Sequence, residues 1–67
     1  MSEFVIWAIP EKDRLRIGAL PANYQGLPDG AEVIASVVES ELADVMRRIK
    51  HRAKNGWSIA RLREGTA

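Results

Sequence analysis

The sequence predicts an α+β domain: a three-stranded antiparallel sheet with one long helix packed on one face. Three observations predict it: a short apolar run near the start, an alternating run after it, and a long stretch whose apolar residues recur with the helical period. The predicted element order is ββαβ, and the predicted strand order is 2-1-3. The 67 residues form a single domain, 1–67, because a chain this short builds one hydrophobic core at most.

Two strands open the chain. Residues 4–9 are mostly β-branched or aromatic and are apolar on both faces, which is typical of a central strand covered on both sides. Residues 14–20 alternate instead, and one side of this strand carries Leu15, Ile17 and Ala19. A short polar segment separates the two runs, so together they predict a β-hairpin.

A long helix is predicted for residues 29–55. Asp29 and Glu32 have the spacing of a capping box, in which each side chain accepts a hydrogen bond from the backbone N–H of the other residue. Asn55 and Gly56 supply a stop, since both residue types readily adopt left-handed backbone conformations. One stripe of this helix is apolar and is its predicted core face. The stripe comprises Ala31, Ile34, Ala35, Val38, Leu42, Val45, Met46, Ile49 and Ala53.

The third predicted strand spans residues 57–63. A right-handed crossover from the second strand through the helix to this strand passes over the first strand, which therefore lies in the middle. One helix covers one face of such a sheet, so the other face exposes one alternate set of the first strand. That set is either Val5, Trp7 and Ile9 or Phe4, Ile6 and Ala8. Monomers rarely expose such a contiguous apolar patch, so we expect a partner to cover it.

Composition excludes several classes of function. There is no cysteine and one histidine, so disulfides, thiolate metal sites and multi-histidine metal sites are excluded, and we expect no cofactor. The longest apolar run is too short to span a bilayer, and no basic segment precedes it as in a signal peptide. We expect a cytoplasmic protein without a membrane or small-molecule partner. Ser40 and His51 lie about 16 Å apart along the predicted helix, so we expect no enzyme.

Charge is divided along the predicted helix. Five acidic residues and no basic residue lie in segment 29–45, whereas five basic residues, one histidine and no acidic residue lie in segment 47–54. The helix macrodipole favours this arrangement by about 0.3–1 kcal/mol for each charge. The basic half could also follow a phosphate backbone, which makes it the candidate for nucleic-acid binding. Its candidate residues are Arg47, Lys50, His51 and Lys54.

A second group of cations is predicted on the open sheet face. Trp57, Arg61 and Arg63 share one side of the third strand, and Arg14 and Arg16 share the polar side of the second. Trp and Arg are frequent anchors of protein interfaces, and they also stack on bases and contact phosphates in single-stranded nucleic acids. Alternatively, Trp57 caps the core at the helix end. The residues predicted to bind a protein partner are Trp7, Arg16, Trp57, Arg61 and Arg63.

Two functional hypotheses follow from these surfaces. The first is a small non-enzymatic binding or regulatory module that acts through protein–protein contacts, as a homodimer formed through the uncovered sheet face or a strand edge. The second is a nucleic-acid-binding protein that uses Trp57 with the sheet arginines, or the basic end of the helix. These sheet arginines are Arg14, Arg16, Arg61 and Arg63.

Three short stretches carry a resemblance. They are residues 4–10, the Asp-Arg-Leu of residues 13–15, and the Asn-Gly-Trp of residues 55–57. With these stretches the chain resembles small proteins of bacterial and phage genomes, and the resemblance implies no activity for any residue. The size and the apolar first strand also suggest a third hypothesis. In it the chain is a small inhibitor of a larger protein, of the kind that phages and mobile elements carry.

Overall fold

The computed structural model describes residues 2–24 and 26–66, which form a three-stranded antiparallel sheet and two helices. The strand order is 2-1-3, which confirms the α+β class, the three-stranded antiparallel sheet and the middle position of the first strand. The third strand is not the predicted one, because it is formed by residues 32–38 and not by residues 57–63. The single long helix and the ββαβ element order are wrong, because three strands come first and two helices follow. The elements are β1 Glu3–Pro10, β2 Leu15–Pro21, β3 Glu32–Val38, α1 Glu39–Lys54 and α2 Ile59–Thr66.

Strand β1 lies in the middle and is antiparallel to both neighbours. Ile6 lies opposite Ala19 of β2 and Ala35 of β3, so these three side chains share a face. Ile6 and Ala8 on this face are 0% exposed. Both helices pack on this face, and each contributes to the same core. The structure thereby places the set of Phe4, Ile6 and Ala8 on the side of the sheet that faces the helices, and Ile6 and Ala8 of this set form part of the buried core.

Strand β3 occupies residues that were predicted to begin the helix. Four of its seven residues are Val or Ile, which favour strands over helices. The register with β1 jumps from Ala35 to Val33, so Ile34 is the extra residue of a β-bulge. Ile34 is 4% exposed and adjacent Ala35 also packs against the core. Two successive inward residues interrupt the alternation of the strand, and this is why its apolar spacing resembles that of a helix.

The predicted capping box at Asp29 is instead a turn. The Ala31 N–H donates to the Pro28 carbonyl over 3.1 Å, and Gly30 has a φ of 81°, which glycine adopts without strain. Pro-Asp-Gly is a typical turn sequence, and here it leads into β3. Helix α1 begins later, at Glu39, without a side-chain cap. Its first N–H is satisfied by the Ser2 carbonyl, 2.9 Å away, which ties the helix start to the beginning of β1.

The predicted helix stop at Asn55 and Gly56 is confirmed. Helix α1 ends at Lys54, and Gly56 has a φ of 90°. The Gly56 N–H donates to the Ala53 carbonyl and the Trp57 N–H to the Arg52 carbonyl, each over 3.1 Å. This pair of hydrogen bonds is a Schellman motif, which satisfies two of the carbonyls that the helix end leaves open.

Helix α2 replaces the predicted third strand of residues 57–63. Ser58 caps it: the Ser58 Oγ accepts a hydrogen bond from the Arg61 N–H over 3.2 Å. The residues after the cap are mostly strong helix formers. Leu62 is 0% exposed, and it joins Ile49 of α1 in the core beneath the two helices. The period-2 pattern that predicted a strand here was therefore misleading.

The predicted core stripe is helical only in α1, whereas its members Ile34 and Ala35 do reach the core but from β3. Ile49 is fully buried, and the remaining apolar residues of the helical part are partly buried against the core. These are Leu42, Val45, Met46 and Ala53. Among the described residues five apolar side chains are buried, so the core is small. They are Ile6, Ala8, Ile34, Ile49 and Leu62.

Substitution at α2 tests its helical state. Leu62→Ala should lower the free energy of unfolding by about 2–5 kcal/mol, because it removes a fully buried side chain. Glu64→Ala is the control and should change stability by less than about 0.5 kcal/mol, since Glu64 is exposed. Urea unfolding followed by circular dichroism measures both. Residues 62 and 64 would share a face in a strand, so equal losses would contradict the helix.

Candidate protein-binding surfaces

The sheet face opposite the helices, here called the open face, carries the other alternate set of β1. This set is Val5, Trp7 and Ile9, and each member is half-buried. Trp7 lies opposite Gly18 of β2 and Val33 of β3, which extend the open face toward both edges. Val33 is 40% exposed and is among the most exposed large apolar residues of the described chain. The row of Gly18, Trp7 and Val33 is therefore free of polar side chains across all three strands of the open face.

The six-membered ring of Trp7 packs against Gly18. A Cβ atom at Gly18 would overlap the six-membered ring of Trp7, so only glycine leaves room for the indole in this position. The indole Nε1 of Trp7 is buried and has no hydrogen-bond acceptor among residues 2–24 and 26–66. Burial of a donor without an acceptor costs about 1–3 kcal/mol, so packing of the ring must outweigh that cost.

Arg16 lies on the open face opposite Ile9, at the hairpin end of the sheet. Its guanidinium forms an ion pair with the Glu11 carboxylate over 2.8 Å, and the Arg14 Nε lies 3.6 Å from the same carboxylate. Both arginine side chains are largely exposed, so these pairs add little stability. Trp7 and Arg16, two of the five partner-binding candidates, thus lie on one surface, although the sequence left open which side of the first strand is exposed.

Trp57 and Arg61 do not lie on the sheet. Trp57 is half-buried at the junction of the two helices and packs against the core, which matches the alternative that it caps the core. The Cζ atoms of Arg52 and Arg61 lie 4.6 and 4.1 Å from the centre of the Trp57 ring. Arg52 also donates to the Gly65 carbonyl over 3.3 Å. These cation–π contacts join α1 to α2.

Arg63 contacts the outer edge of β3. Its Nε and Nη2 atoms donate to the Val33 carbonyl over 3.1 and 3.0 Å. Its Nη2 also lies 3.7 Å from a carboxylate oxygen of Glu32. A backbone carbonyl at a sheet edge is thereby satisfied by a side chain from α2. The predicted cluster of sheet arginines around Trp57 does not form.

A groove lies between β2 and the last two turns of α1, here called the β2–α1 groove, with a volume of about 370 Å³. Its apolar lining residues are Leu15, Ile17 and Ala53. Its polar lining residues are all cations, Arg14, Lys50 and Lys54. Within residues 2–24 and 26–66, neither lysine forms an ion pair. Sequence reasoning selected both lysines for their charge but missed the groove, because it forms only when α1 packs beside β2.

The predicted nucleic-acid stripe is divided by the structure. Lys50 and Lys54 line the β2–α1 groove, whereas Arg47 forms an ion pair with Asp44 over 2.8 Å on the outer side of α1. The His51 ring contacts the Asn55 side chain over 3.2 Å, also at the surface. The outer side of the helix therefore mixes acid and base, and the unpaired cations of the stripe lie in the groove.

Comparison with protein-family models, curated proteins and solved structures finds no match to this chain. Neither described helix has the length and apolar composition that crossing a bilayer requires. In residues 2–24 and 26–66, no group of three or more His, Asp or Glu side chains is placed to hold a metal ion. The surfaces themselves are therefore the basis for a functional proposal.

The packing of Trp7 on Gly18 can be tested directly. Gly18→Ala should lower the free energy of unfolding by about 1–3 kcal/mol, because the added methyl group forces the indole to move. The near-ultraviolet circular dichroism of tryptophan should change as well. Ser36→Ala, an exposed substitution on β3, is the control and should change stability by less than about 0.5 kcal/mol. A Gly18→Ala protein with unchanged stability and spectrum would contradict this packing.

Proposed function

We propose that this chain is a small non-enzymatic binding module that acts through protein–protein contacts and forms a homodimer through its open face. The observation that carries the proposal is the apolar character of that face, where Val5, Trp7 and Ile9 lie outside the helix-covered core. A second copy is the simplest cover, because a twofold axis brings the same patch of both subunits together.

The small core supports this proposal. Five buried apolar residues are found among the described residues, and the chain has no cysteine to form a stabilising disulfide. Chains of this size commonly depend on disulfides, metals or association for stability. Burial of the open face would add apolar area at about 25 cal/mol per Å². Association would therefore serve both binding and stability.

Nucleic acid is the second candidate partner. The observation that favours it is that Lys50 and Lys54 form no ion pair in the part of the chain that the structure describes. The expected stacking platform is less favourable, since two guanidinium groups already lie against the Trp57 ring. Affinity for an oligonucleotide that falls steeply with salt would support this candidate. The third candidate partner is a larger protein that this chain would inhibit by binding to it through the open face.

Sedimentation equilibrium at micromolar concentration tests the homodimer. The parent protein should sediment at twice the chain mass of 7.5 kDa. Val33→Lys should weaken association at least about tenfold, because it buries an unpaired ammonium group in the dimer. Val33 is suited to this test because it is 40% exposed and its replacement leaves the core intact.

The control for this experiment is Ala43→Lys, which adds the same charge at an exposed position of α1. It should remain dimeric, and circular dichroism should show that both variants are folded. A parent protein that stays at 7.5 kDa would contradict the homodimer. Equal weakening by the two substitutions would show that charge repulsion, rather than the open face, governs association.

A further inference from the structure

We propose that the β2–α1 groove, together with the outer edge of β2, binds an acidic extended segment of another protein as an additional strand. This site is separate from the open face, because the groove lies on the side of the sheet that the helices cover. It is therefore a second binding site and does not depend on dimerisation. The proposal rests on the backbone of β2, on the lining of the groove and on its charge.

Strand β2 is an edge strand, since β1 is its neighbour on one side and no described strand lies on the other. Two hydrogen bonds show which of its backbone groups point outward. The Ala22 N–H donates to the Glu3 carbonyl and the Glu11 N–H to the Arg14 carbonyl, each over 2.8 Å. Hydrogen-bonded pairs alternate along an antiparallel ladder, so even-numbered residues from 14 to 22 point toward β1. The residues whose N–H groups point outward are Leu15, Ile17 and Ala19.

The outward-pointing residues are also those whose side chains face the helices. Ile17 lies opposite Ala8 and Ala19 opposite Ile6, and both of these β1 residues are fully buried in the core. Leu15 and Ile17 line the β2–α1 groove. An added strand would thus pair with the backbone of β2 and place every second side chain against the flank of α1. Backbone pairing would supply affinity, and the groove would select the side chains.

The charge of the groove defines the chemistry of the segment. Lys50 and Lys54 line it without an ion pair in the described chain, Arg14 lines it while its guanidinium lies beside Glu11, and no acidic residue is among its described lining residues. Lys50 and Lys54 are one helical turn apart, about 6 Å along the axis. Alternate side chains of a strand are spaced by about 6.6 Å, so two carboxylates at positions i and i+2 match the two lysines. The expected partner therefore carries alternating Asp or Glu residues.

A second copy of this chain does not fit the site. Twofold pairing of β2 with β2 of another subunit would bring Lys50 and Lys54 near their own copies, and like charges repel. The other sheet edge is not available for such pairing, because α2 packs along β3 and Arg63 occupies the Val33 carbonyl. The cations thus favour an acidic partner over self-association at this edge.

A peptide fits the groove better than nucleic acid does. Single-stranded nucleic acids are bound through aromatic side chains that stack on bases, and no aromatic residue is among the described residues of the groove. Its apolar lining, Leu15, Ile17 and Ala53, suits side chains. The outward N–H and carbonyl groups of β2 repeat at the strand spacing, which another extended polypeptide matches and a phosphate backbone does not.

The test uses synthetic peptides of seven residues, the length of β2. The probe alternates Thr and Glu, and the first control alternates Thr and Gln. The second control keeps every Glu but carries N-methyl groups on alternate backbone nitrogens, which removes the hydrogen bonds that a strand needs and keeps the charge. A second version of this control carries the methyl groups on the other alternate nitrogens. Two versions are needed because only one of the two alternate sets of peptide N–H groups faces β2 in a paired strand. Amide hydrogen exchange and chemical shifts of the isotope-labelled protein report binding.

The Thr–Glu probe should slow exchange at the amides of Leu15, Ile17 and Ala19. The amides of Gly18 and Leu20 already bond to β1, and their exchange should change little. The Thr–Gln peptide should bind at least about tenfold more weakly, since two ion pairs of roughly 0.7 kcal/mol each are lost. One of the two N-methylated peptides should not bind.

Variants of the protein provide the matched comparison. Lys50→Gln with Lys54→Gln should weaken binding of the Thr–Glu probe about tenfold. Arg47→Gln with Arg48→Gln removes the same charge from another part of the same helix, because Arg47 and Arg48 lie with Asp44 and His51 around a separate surface depression and neither lines the groove. This double variant should leave binding nearly unchanged. Ala19→Pro removes an outward N–H while leaving the β1 ladder intact, so it should also weaken binding. If Ala19→Pro fails to fold, the N-methylated peptides still test the edge.

Several results would overturn the proposal. The first is that about 1 mM Thr–Glu probe does not slow exchange of the β2 amides, since dissociation constants near 1 mM are the weak end of specific association. If the Thr–Gln peptide binds as tightly as the Thr–Glu probe, charge does not select the partner. If both N-methylated peptides bind as tightly as the probe, the peptide does not pair with β2 as a strand. An oligothymidylate that shifts Lys50 and Lys54 resonances when the peptide does not would assign the groove to nucleic acid. None of these results bears on the mass of the homodimer, so the two proposals fail separately.

Discussion

The structure depends on burying one side of β1. Ile6 and Ala8 are fully buried, and the two helices each place one fully buried residue over them, Ile49 and Leu62. A strand cannot turn one side inward without turning the other outward, so Val5, Trp7 and Ile9 must lie on the open face. With a core this small, the chain leaves apolar area outside it that a larger domain would cover with a further layer.

The hairpin of β1 and β2 could be predicted because both strands have a regular pattern and a polar turn separates them. The middle position of β1 followed from its apolar character on both faces, although the neighbour on the far side is residues 32–38 and not residues 57–63. The error at β3 has one physical cause, the bulge at Ile34, which shifts the period away from two. The error at α2 arose because residues 57–63 have a strand-like alternation of side chains, whereas Ser58 is an N-cap residue that favours a helix after it.

The candidate surfaces were harder to predict than the strands. Strand periodicity groups Trp7 with Val5 and Ile9 and separates Arg16 from Leu15 and Ile17, but the packing of the helices decides which side of the sheet is open. The position of the Trp57 side chain depends on contacts that sequence spacing does not show, because Arg52 of α1 and Arg61 of α2 both lie against its ring. The β2–α1 groove requires Leu15 and Lys54, which are far apart in the chain, to meet through tertiary packing. Local patterns identify such residues only by charge.

Cations of the basic segment 47–54 lie beside one of the two sheet edges, and the fold treats the two edges differently. An exposed edge strand invites pairing with other chains, and proteins protect edges with covering elements or with charge. This fold covers β3 with α2 and with Arg63. Beside β2 it places Lys50 and Lys54 instead. In the proposed binding mode, the same cations that oppose pairing of one β2 edge with its copy attract a strand of opposite charge. Protection of this edge from self-pairing and selection of an acidic partner would then have one electrostatic origin, separate from association through the open face.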